Sequence, residues 1–270
     1  MLTFIRKVTN NNKIVFAIWF SLAIIAAILE LSRNEVNNYL IFKNVFWHTI
    51  HQVNLYHFYP NEYADQNLYG PIFSIIIAPF ALLPDFVGCI LWVAANSLIL
   101  YKAVRLLPIK EKQQNIILLI SAIECMTASH NVQSNPMLAA CIILVFVFVQ
   151  KQKDFFGTLF IAIGFLVKLY GIIALIFFMF SKRKITFSIG FVVWLVALVA
   201  LPILISSPQF IEQSYLDWYY CITEKNTINQ VNLDMQNISV MGMAARIFNI
   251  SSLPNLYFII PAGLLFILPF

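Results

Sequence analysis

The chain has 270 residues, of which 61% are hydrophobic and only 11% are charged, and its mean hydropathy is +0.82. A soluble domain carries about 25% charged residues, so too few charges remain here to cover a surface that faces water. The net charge of +5 does not indicate nucleic-acid binding, because Lys and Arg stand in short clusters between apolar runs. The composition predicts an all-α, polytopic bundle of transmembrane helices.

Nine apolar runs follow one another along the chain. The length of each can be compared with the roughly 20 residues that a full membrane span needs. The first run has no small-residue cleavage site and predicts a retained helix rather than a signal peptide. The runs at 155–167 and 169–181 are short, and one charge, Lys168, separates them. Such pairs are typical of the broken helices that build sites inside membranes. The runs cover 14–31, 71–83, 86–101, 114–128, 137–150, 155–167, 169–181, 185–206 and 255–270.

Four clusters of Lys and Arg predict the topology, since such clusters mark the cytoplasmic side of a membrane protein. They are Arg6/Lys7/Lys13, Lys102/Arg105/Lys110/Lys112, Lys151/Lys153 and Lys182/Arg183/Lys184. If all four are cytoplasmic, the N-terminus is cytoplasmic and the run at 71–83 does not cross but is re-entrant or interfacial. In the alternative, 71–83 and 86–101 both span, and the cluster at 102–112 lies outside.

The first topology places four segments on the outer side, and the unusual polar residues lie in them. They are 33–70, 129–136, the turn at Lys168, and 207–254. Within 33–70, the stretch Tyr39–Ile50 predicts an amphipathic helix at the membrane interface. The segment 207–254 is expected to be a long outer loop that becomes helical at 237–246. We expect one transmembrane domain over 1–270, belonging to a longer protein whose C-terminal part is missing, because the sequence stops inside an apolar run.

Several polar residues stand out against this apolar background, because charges in lipid are costly and often functional. Lys168 is a candidate to hold a phosphate, or else a side chain that snorkels to the interface. Glu124 is a candidate site residue or a structural acid. The amides Asn131, Gln133 and Asn135 exceed what a turn needs and favour binding to a polyhydroxy substrate, the other interpretation being a helix cap.

Metal and cofactor chemistry is not predicted. The histidines His48, His51 and His57 stand close in sequence, but no acidic or Cys ligand follows at a fixed offset. Glycine-rich phosphate loops, GxSxG and CxxC are all missing from the sequence. We therefore expect no metal, no cofactor and no soluble nucleotide-binding fold.

A series of short motifs, taken together, resembles a known family. In chain order they are Glu35-Val-Asn-Asn-Tyr39, Asn54-Leu-Tyr56, Tyr69-Gly-Pro71, Ala78-Pro79 with Leu83-Pro84, Trp92 with Asn96, Asn131 with Gln133 and Asn135, Lys168-Leu-Tyr170, and Asn237-Ile-Ser239 with Gly242 and Arg246. Their order and spacing are similar to those of glycosyltransferase family 87, the polyprenyl-phosphate-mannose-type transferases of the GT-C superfamily. Each motif is only two or three residues long, so the resemblance depends on the whole set.

The resemblance implies a GT-C-like fold and a multi-pass hexosyltransferase of the bacterial inner membrane. Such an enzyme moves a sugar, such as mannose, from a polyprenyl-phosphate donor to a lipid or glycan acceptor on the outer face. A single displacement would invert the anomeric centre. The resemblance further implies Glu35 as catalytic base with Asp65 in reserve, and Lys168 as a clamp for the donor phosphate. The other substrate-binding residues are then Tyr39, Tyr69, Glu124, Asn131, Gln133, Asn135, Asn237 and Arg246.

One departure from the family concerns the base itself. The family usually has Asp where this chain has Glu35, which moves the carboxylate by one methylene, and a misplacement of about 1 Å costs as much as 100-fold in rate. The role of base then stays with Glu35, passes to Asp65, or is lost. Two other functions stay open. One is a transporter or flippase of lipid-linked or polar solutes, since such proteins also use broken helices and charges inside the membrane. The other is a non-catalytic homologue, which the Glu35 departure favours.

Overall fold

The computed structural model describes residues 8–231, 239–248, 254 and 256–267, and within them all regular structure is helical. This confirms the predicted all-α fold. The helices are α1 (Asn12–Arg33), α2 (Asn37–His51), α3 (Phe73–Ala81), α4 (Asp85–Arg105), α5 (Glu111–His130), α6 (Asn135–Gln150), α7 (Asp154–Val167), the 3-10 helix η1 (Leu169–Phe178), α8 (Lys184–Ala200), the 3-10 helix η2 (Leu201–Ile205), α9 (Pro208–Val231), α10 (Val240–Phe248) and α11 (Leu256–Ile267).

Three of the described helical segments are long and apolar enough to cross a membrane, so the chain is a membrane protein. They are Asn12–Arg33, Asp85–Arg105 and Lys184–Ile205. The third shows most of its apolar side chains on the outside, as lipid-facing helices do, since only 11% of it is buried. Other helices, such as α6 and α7, are apolar but shorter.

Helices α1, α4 and α5 form the core that supports one side of the bundle. Trp19 of α1 is buried there and donates a hydrogen bond from Nε1 to the carbonyl oxygen of Ser97 in α4, at 3.0 Å. Ala23, Ala26 and Ala27 of α1 are also fully buried, and such small side chains let neighbouring helices approach closely. This packing gives α1 a fixed position against α4 and against α5, the helix that leads to the polar turn at 131–135.

The bundle has two chemically different ends. At one end Asn115 of α5 donates to Asn12 of α1 at 2.8 Å, and at the other end His130 of α5 contacts Glu30 of α1 at 2.8 Å, so these two helices run parallel. Helices α4 and α6 run the opposite way. The first end, here called the basic end, carries the described members of all four Lys and Arg clusters: Lys13, Lys102, Arg105, Lys110, Lys112, Lys151, Lys153, Lys182, Arg183 and Lys184.

Helix α3 is too short to cross a membrane. It has 9 residues, or roughly 14 Å, against a hydrocarbon core of about 30 Å. It follows Tyr69, and it is followed by Asp85 at the start of α4, both of which lie at the end opposite the basic end. The first predicted topology depends on such a non-crossing segment at 71–83.

The predicted pair of short helices around Lys168 is present, and it folds into a tight hairpin. Ser181, beyond the end of η1, donates to Asp154 at the start of α7, so Lys168 lies at the bend and the basic residues 182–184 lie at the far end. Gly164 and Gly171 make the bend possible, because a Cβ atom on Gly171 would overlap the backbone of Gly164. The second helix is of the 3-10 type, which the apolar pattern does not predict.

The chain divides into two compact units, Met1–Tyr215 and Leu216–Phe270, and the boundary falls within α9. Part of the segment 207–254, which we predicted as an outer loop, is a continuous helix of 24 residues, α9. Helix α10 covers most of the helix expected at 237–246 but begins at Val240, and residues 237 and 238 lie outside the described part of the chain. The single domain expected over 1–270 stays a prediction.

Candidate functional site

Lys168 is the centre of a polar cluster at the bend between α7 and η1, at the end opposite the basic end. Its Nζ atom donates to Oε1 of Gln133 at 3.2 Å and to Oδ1 of Asn135 at 3.1 Å. The same ammonium group lies 4.8 Å from the ring centroid of Tyr69 and 5.8 Å from that of Tyr170. A cation over the faces of two aromatic rings is attracted by their quadrupoles. The structure therefore brings together four of the predicted site residues.

The surroundings of Lys168 are neutral. Burial of this ammonium group lowers its pKa to about 8, so it is mostly protonated at pH 7 but close to titrating. Its partners are amide oxygens and aromatic rings, and none of the ion pairs among the described residues involves it. A cation without a carboxylate partner keeps its charge available for an anionic ligand.

Tyr69 is held rigidly beside this ammonium group. Its hydroxyl donates to Gln133 at 3.2 Å and accepts from Ser134 at 3.3 Å, while its carbonyl oxygen accepts from the hydroxyl of Tyr56 at 3.0 Å. Asn67 closes a local turn by accepting from the N–H of Tyr69 at 2.9 Å. Burial raises the pKa of the Tyr69 hydroxyl, so this group stays protonated and acts as a hydrogen-bond donor rather than as a base.

The turn at 131–135 presents the amides through a strained cap at the end of α5. Val132 has φ of 50°, a left-handed conformation that a β-branched residue rarely adopts, while Gln133 donates from its N–H to the carbonyl oxygen of Ala128 at 2.8 Å. The carbonyl oxygen of Val132 accepts from Trp92 Nε1 at 3.3 Å. Strain of this kind costs about 1–3 kcal/mol and persists where the surroundings impose it, often at functional sites.

The two candidate bases lie near the start of α2. Asn37 accepts from the N–H of Ala64 at 2.7 Å, which brings the segment that contains Asp65 next to the residues that follow Glu35. Glu35 is two residues before Asn37, and Asp65 directly follows Ala64. The backbone of each acid is therefore at most roughly 7 Å along the chain from a residue of this hydrogen bond. Both side chains are exposed, and Asp65 accepts from the N–H of Gln66 at 2.7 Å.

The same turn that holds Lys168 also connects to these carboxylates. Asn38, in the first turn of α2, donates from its side chain to the carbonyl oxygen of Asn131 at 2.7 Å. Asn131 is two residues before Gln133, whose side chain accepts from Lys168. The predicted base residues and the predicted phosphate clamp therefore lie at one end of the bundle, joined through a five-residue turn.

Glu124 lines a groove of about 300 Å³ between α5 and α6. Asn131, Gln133 and Asn135 line the same groove, so all three predicted amides and the predicted acid share one cavity. Side chains of Leu100 and other apolar residues complete its wall. The groove is thus polar at the turn, and farther down the helices Glu124 and Ser121 stand among its apolar lining residues.

The other three predicted site residues are Tyr39, Arg246 and Asn237. Tyr39 is fully buried, and its hydroxyl donates to the carbonyl oxygen of Phe80 at 3.0 Å and fills the space left by the missing side chain of Gly88, which is a packing position. Arg246 lies in α10, in the second unit. Asn237 lies outside the described residues.

The structure contains two acid–histidine pairs that the sequence does not predict. Glu30 is buried near the end of α1 and contacts His130 Nδ1 at 2.8 Å and Arg33 at 3.5 Å. His48 of α2 contacts Glu62 at 2.9 Å, and burial lowers the pKa of this imidazole in spite of the carboxylate. Acid and His spacings of 100 and 14 residues give no sequence signal. Among the described residues, no group of three or more His, Cys, Asp or Glu has a metal-binding arrangement.

Comparison with known protein families decides the class of the molecule. The model of the family described as glycosyltransferase family 87 matches residues 67–269, which is about three quarters of the chain. The chain belongs to glycosyltransferase family 87. No curated protein and no solved structure matches it. As a family 87 member with membrane-spanning helices, the chain is a membrane glycosyltransferase, and its substrates are a sugar donor and an acceptor.

The family 87 match covers most of the candidate site but leaves out part of it. Tyr69, Glu124, the amides of the 131–135 turn and Lys168 all lie within the matched residues. Glu35, Tyr39 and Asp65 precede them. The role of either carboxylate as base therefore rests on chemistry and on position near the start of α2, and it stays a proposal.

Proposed function

We propose that this family 87 member transfers a hexosyl group, with mannose the first candidate, from a polyprenyl-phosphate donor to a lipid or glycan acceptor. The reaction takes place at the outer face of a bacterial inner membrane. The observation that carries the proposal is Lys168, a partly buried cation held by neutral groups at the bend of a short helical hairpin. A phosphate supplies the negative charge that this cation lacks.

Lys168 acts on the leaving group. When the bond between sugar C1 and the phosphate oxygen breaks, its electron pair leaves with the polyprenyl phosphate and negative charge develops on that oxygen. A preorganised cation in a partly dehydrated site stabilises this charge more in the transition state than in the ground state. Gln133 and Asn135 hold the ammonium group in place, and Tyr69 covers one side of it. This is the minimum machinery that a phosphate leaving group needs.

A carboxylate completes the reaction by taking the proton of the acceptor. As the acceptor oxygen forms its bond to C1, its O–H bond breaks and the proton passes to Glu35, or to Asp65 if Glu35 is out of reach. Both are exposed near the start of α2, where an acceptor from the aqueous side has access. Attack opposite the phosphate in one displacement inverts the configuration at C1.

The charge distribution supports the proposed sides of the membrane. The described residues of the four Lys and Arg clusters lie together at the basic end, and positive clusters are retained in the cytoplasm. This orientation gives a cytoplasmic N-terminus and directs Lys168, Glu35 and Asp65 outward. A donor that diffuses in the bilayer reaches such a site without a nucleotide-binding domain.

The proposal is tested by offering different donors to the chain reconstituted in liposomes. A radiolabelled hexose on polyprenyl phosphate should be transferred to a glycolipid acceptor, and NMR of the product should show inverted configuration. Nucleotide sugars should give no product. Transfer from a nucleotide sugar contradicts the proposal, as does movement of the lipid-linked sugar across the bilayer without a new glycosidic bond, which is the result expected of a flippase.

A further inference from the structure

The groove beside Lys168 contains a carboxylate that neither phosphate binding nor proton transfer explains. Glu124 is six residues before the end of α5, which places it roughly 9 Å below the polar turn. It lines the groove together with Asn131, Gln133 and Asn135, and no hydrogen bond or ion pair of its carboxylate occurs among the described residues. The carboxylate of Glu124 can therefore accept hydrogen bonds from a ligand in the groove.

The depth of Glu124 limits what the groove accommodates. A carboxylate at the level of the bilayer loses free energy unless it meets hydrogen-bond donors. A hydrocarbon chain in the groove would bury Glu124 without any donor. A sugar ring offers several hydroxyl donors for the carboxylate and several acceptors for the amide groups at the top. The volume, about 300 Å³, is at the small end of ligand pockets and suits one ring rather than a long chain.

Gln133 and Asn135 connect this groove with the cation. Both line the groove, and both accept hydrogen bonds from the ammonium group of Lys168, at 3.2 and 3.1 Å. A ligand with a sugar bonded directly to a phosphate has this same adjacency of a polar ring and an anion. The groove and the cation therefore match two parts of one molecule.

We infer that the groove between α5 and α6 binds the sugar ring of the donor, with Glu124 accepting hydrogen bonds from one or two of its hydroxyls. This inference depends on the proposed function, since it requires Lys168 to hold the phosphate of the same donor. The isoprenoid chain then leaves the site without entering the groove. Glu124 then determines which sugars bind, because it discriminates between them by the hydroxyls they carry.

Donors that lack one hydroxyl each test this assignment. Loss of the hydroxyl that Glu124 contacts should lower kcat/KM of the wild-type chain by about 10- to 100-fold, as expected for a hydrogen bond to a charged group. In the Glu124→Gln variant, the complete donor should be used about 10- to 100-fold less well, and the preference for it over that deoxy donor should shrink to a few-fold. Undiminished discrimination in Glu124→Gln overturns the inference.

The matched control is Glu111→Gln on the same helix. Glu111 is at the basic end, about 20 residues or roughly 28 Å from His130, and it accepts a hydrogen bond from Asn12 that a Gln side chain also accepts. This variant should keep the wild-type preference among the donors. A loss of preference in Glu111→Gln equal to that in Glu124→Gln would show that any carboxylate removed from α5 has the effect, which contradicts a sugar contact.

A second variant tests the groove by its volume. Ala128 lines the groove, and Ala128→Leu fills part of it. Binding of the sugar-phosphate donor should weaken about 10-fold or more, whereas polyprenyl phosphate without a sugar should bind as it does to the wild type. Equal weakening of both ligands would place the isoprenoid chain in the groove and overturn the inference.

The outcomes separate this inference from the function on which it depends. If the wild-type chain transfers no sugar from any polyprenyl-phosphate donor, the proposed function fails. If it transfers sugar while Glu124→Gln keeps full discrimination and Ala128→Leu keeps full donor affinity, only the sugar groove fails.

Discussion

The Nζ atom of Lys168 donates to Oε1 of Gln133 at 3.2 Å, and the hydroxyl of Tyr69 donates to the same oxygen, also at 3.2 Å. One amide oxygen thus orients both a cation and an aromatic ring, although the three residues are 35 to 99 positions apart in the sequence. Because Gln133 is neutral, it fixes the ammonium group without neutralising it. The positive charge remains available at the bend.

Replacing this cation should weaken both binding and catalysis. In Lys168→Met the stem keeps its packing but the charge is lost, so kcat/KM for a polyprenyl-phosphate donor should fall by about 100-fold or more, with a rise in KM as well as a loss in kcat. Steady-state transfer in liposomes measures both. Lys153→Met, an exposed Lys at the basic end, is the matched control and should stay within about 3-fold of wild type. Equal losses in both variants would contradict a local role.

The titration of Lys168 should be visible in the pH dependence. Its pKa is lowered to about 8 by burial, so the free enzyme loses this positive charge as the pH rises through about 8. Since kcat/KM reports the free enzyme, it should fall by about 10-fold per pH unit above that value. In Lys168→Arg the guanidinium stays charged, so the decrease in kcat/KM above about pH 8 should disappear, whatever the level of activity. A decrease that persists in Lys168→Arg would mean that a different residue titrates near pH 8.

The close approach of Gly164 and Gly171 should be essential for the bend. A Cβ atom in Gly171→Ala would overlap the backbone of Gly164, so α7 and η1 must separate and carry Lys168 with them. A displacement of about 1 Å at a catalytic group can cost 100-fold in rate, and forced overpacking costs about 1–3 kcal/mol in stability. Thermal unfolding in detergent and the transfer assay measure the two effects. Gly263→Ala in α11 is the control, since nothing lies within 4 Å of its Cβ.

The sequence carried enough information for most of the helices. Apolar runs of 13 or more residues coincide with α1, with α3 to α8, with η1 and with α11, and the stretch 39–50 coincides with most of α2. The sequence predicts a loop where α9 lies, because Tyr, Asp, Glu and Asn interrupt the apolar residues of α9 and weaken the periodic signal on which such predictions depend. The 3-10 form of η1 is not predicted by its apolar pattern, which is the same for an α-helix of this length.

The sequence predicts those residues of the candidate site that are polar or charged within an apolar stretch. Lys168 and Glu124 interrupt apolar runs, and the amides at 131–135 are unusually dense, so composition alone marks them. Tyr39 was expected to bind substrate because of its motif, but its direction depends on packing against Phe80 and Gly88. The Glu30–His130 pair joins two helices 100 residues apart, and only the fold reveals such a contact.

The proposed orientation predicts which sides of the membrane can be labelled. In a background in which the four native cysteines are replaced, Lys168→Cys should react with an impermeant maleimide on intact spheroplasts. Lys182→Cys, exposed at the opposite end of the hairpin, should react only after the membrane is opened. Gel-shift labelling distinguishes the two. Reaction of position 168 only in opened membranes would invert the topology and remove the site from the outer face.

The identity of the base decides whether the outward carboxylates perform the chemistry. Glu35→Gln keeps size and hydrogen bonding but removes the proton acceptor, so turnover should fall by about 100-fold or more with donor binding nearly unchanged. Asp65→Asn should then have a small effect. The reverse pattern would transfer the role to Asp65. Glu111→Gln at the basic end controls for the loss of a carboxylate elsewhere in the bundle.

In the proposed reaction an outward carboxylate and Lys168 act together to transfer a sugar from a polyprenyl phosphate. The most direct measurement is the transfer of radiolabelled hexose from that donor by the reconstituted chain, comparing wild type with the double variant Glu35→Gln/Asp65→Asn. We expect product from the wild type, and a rate at least about 100-fold lower in the double variant, which still binds the donor. Equal turnover in the two proteins, or no product from the wild type, would contradict it.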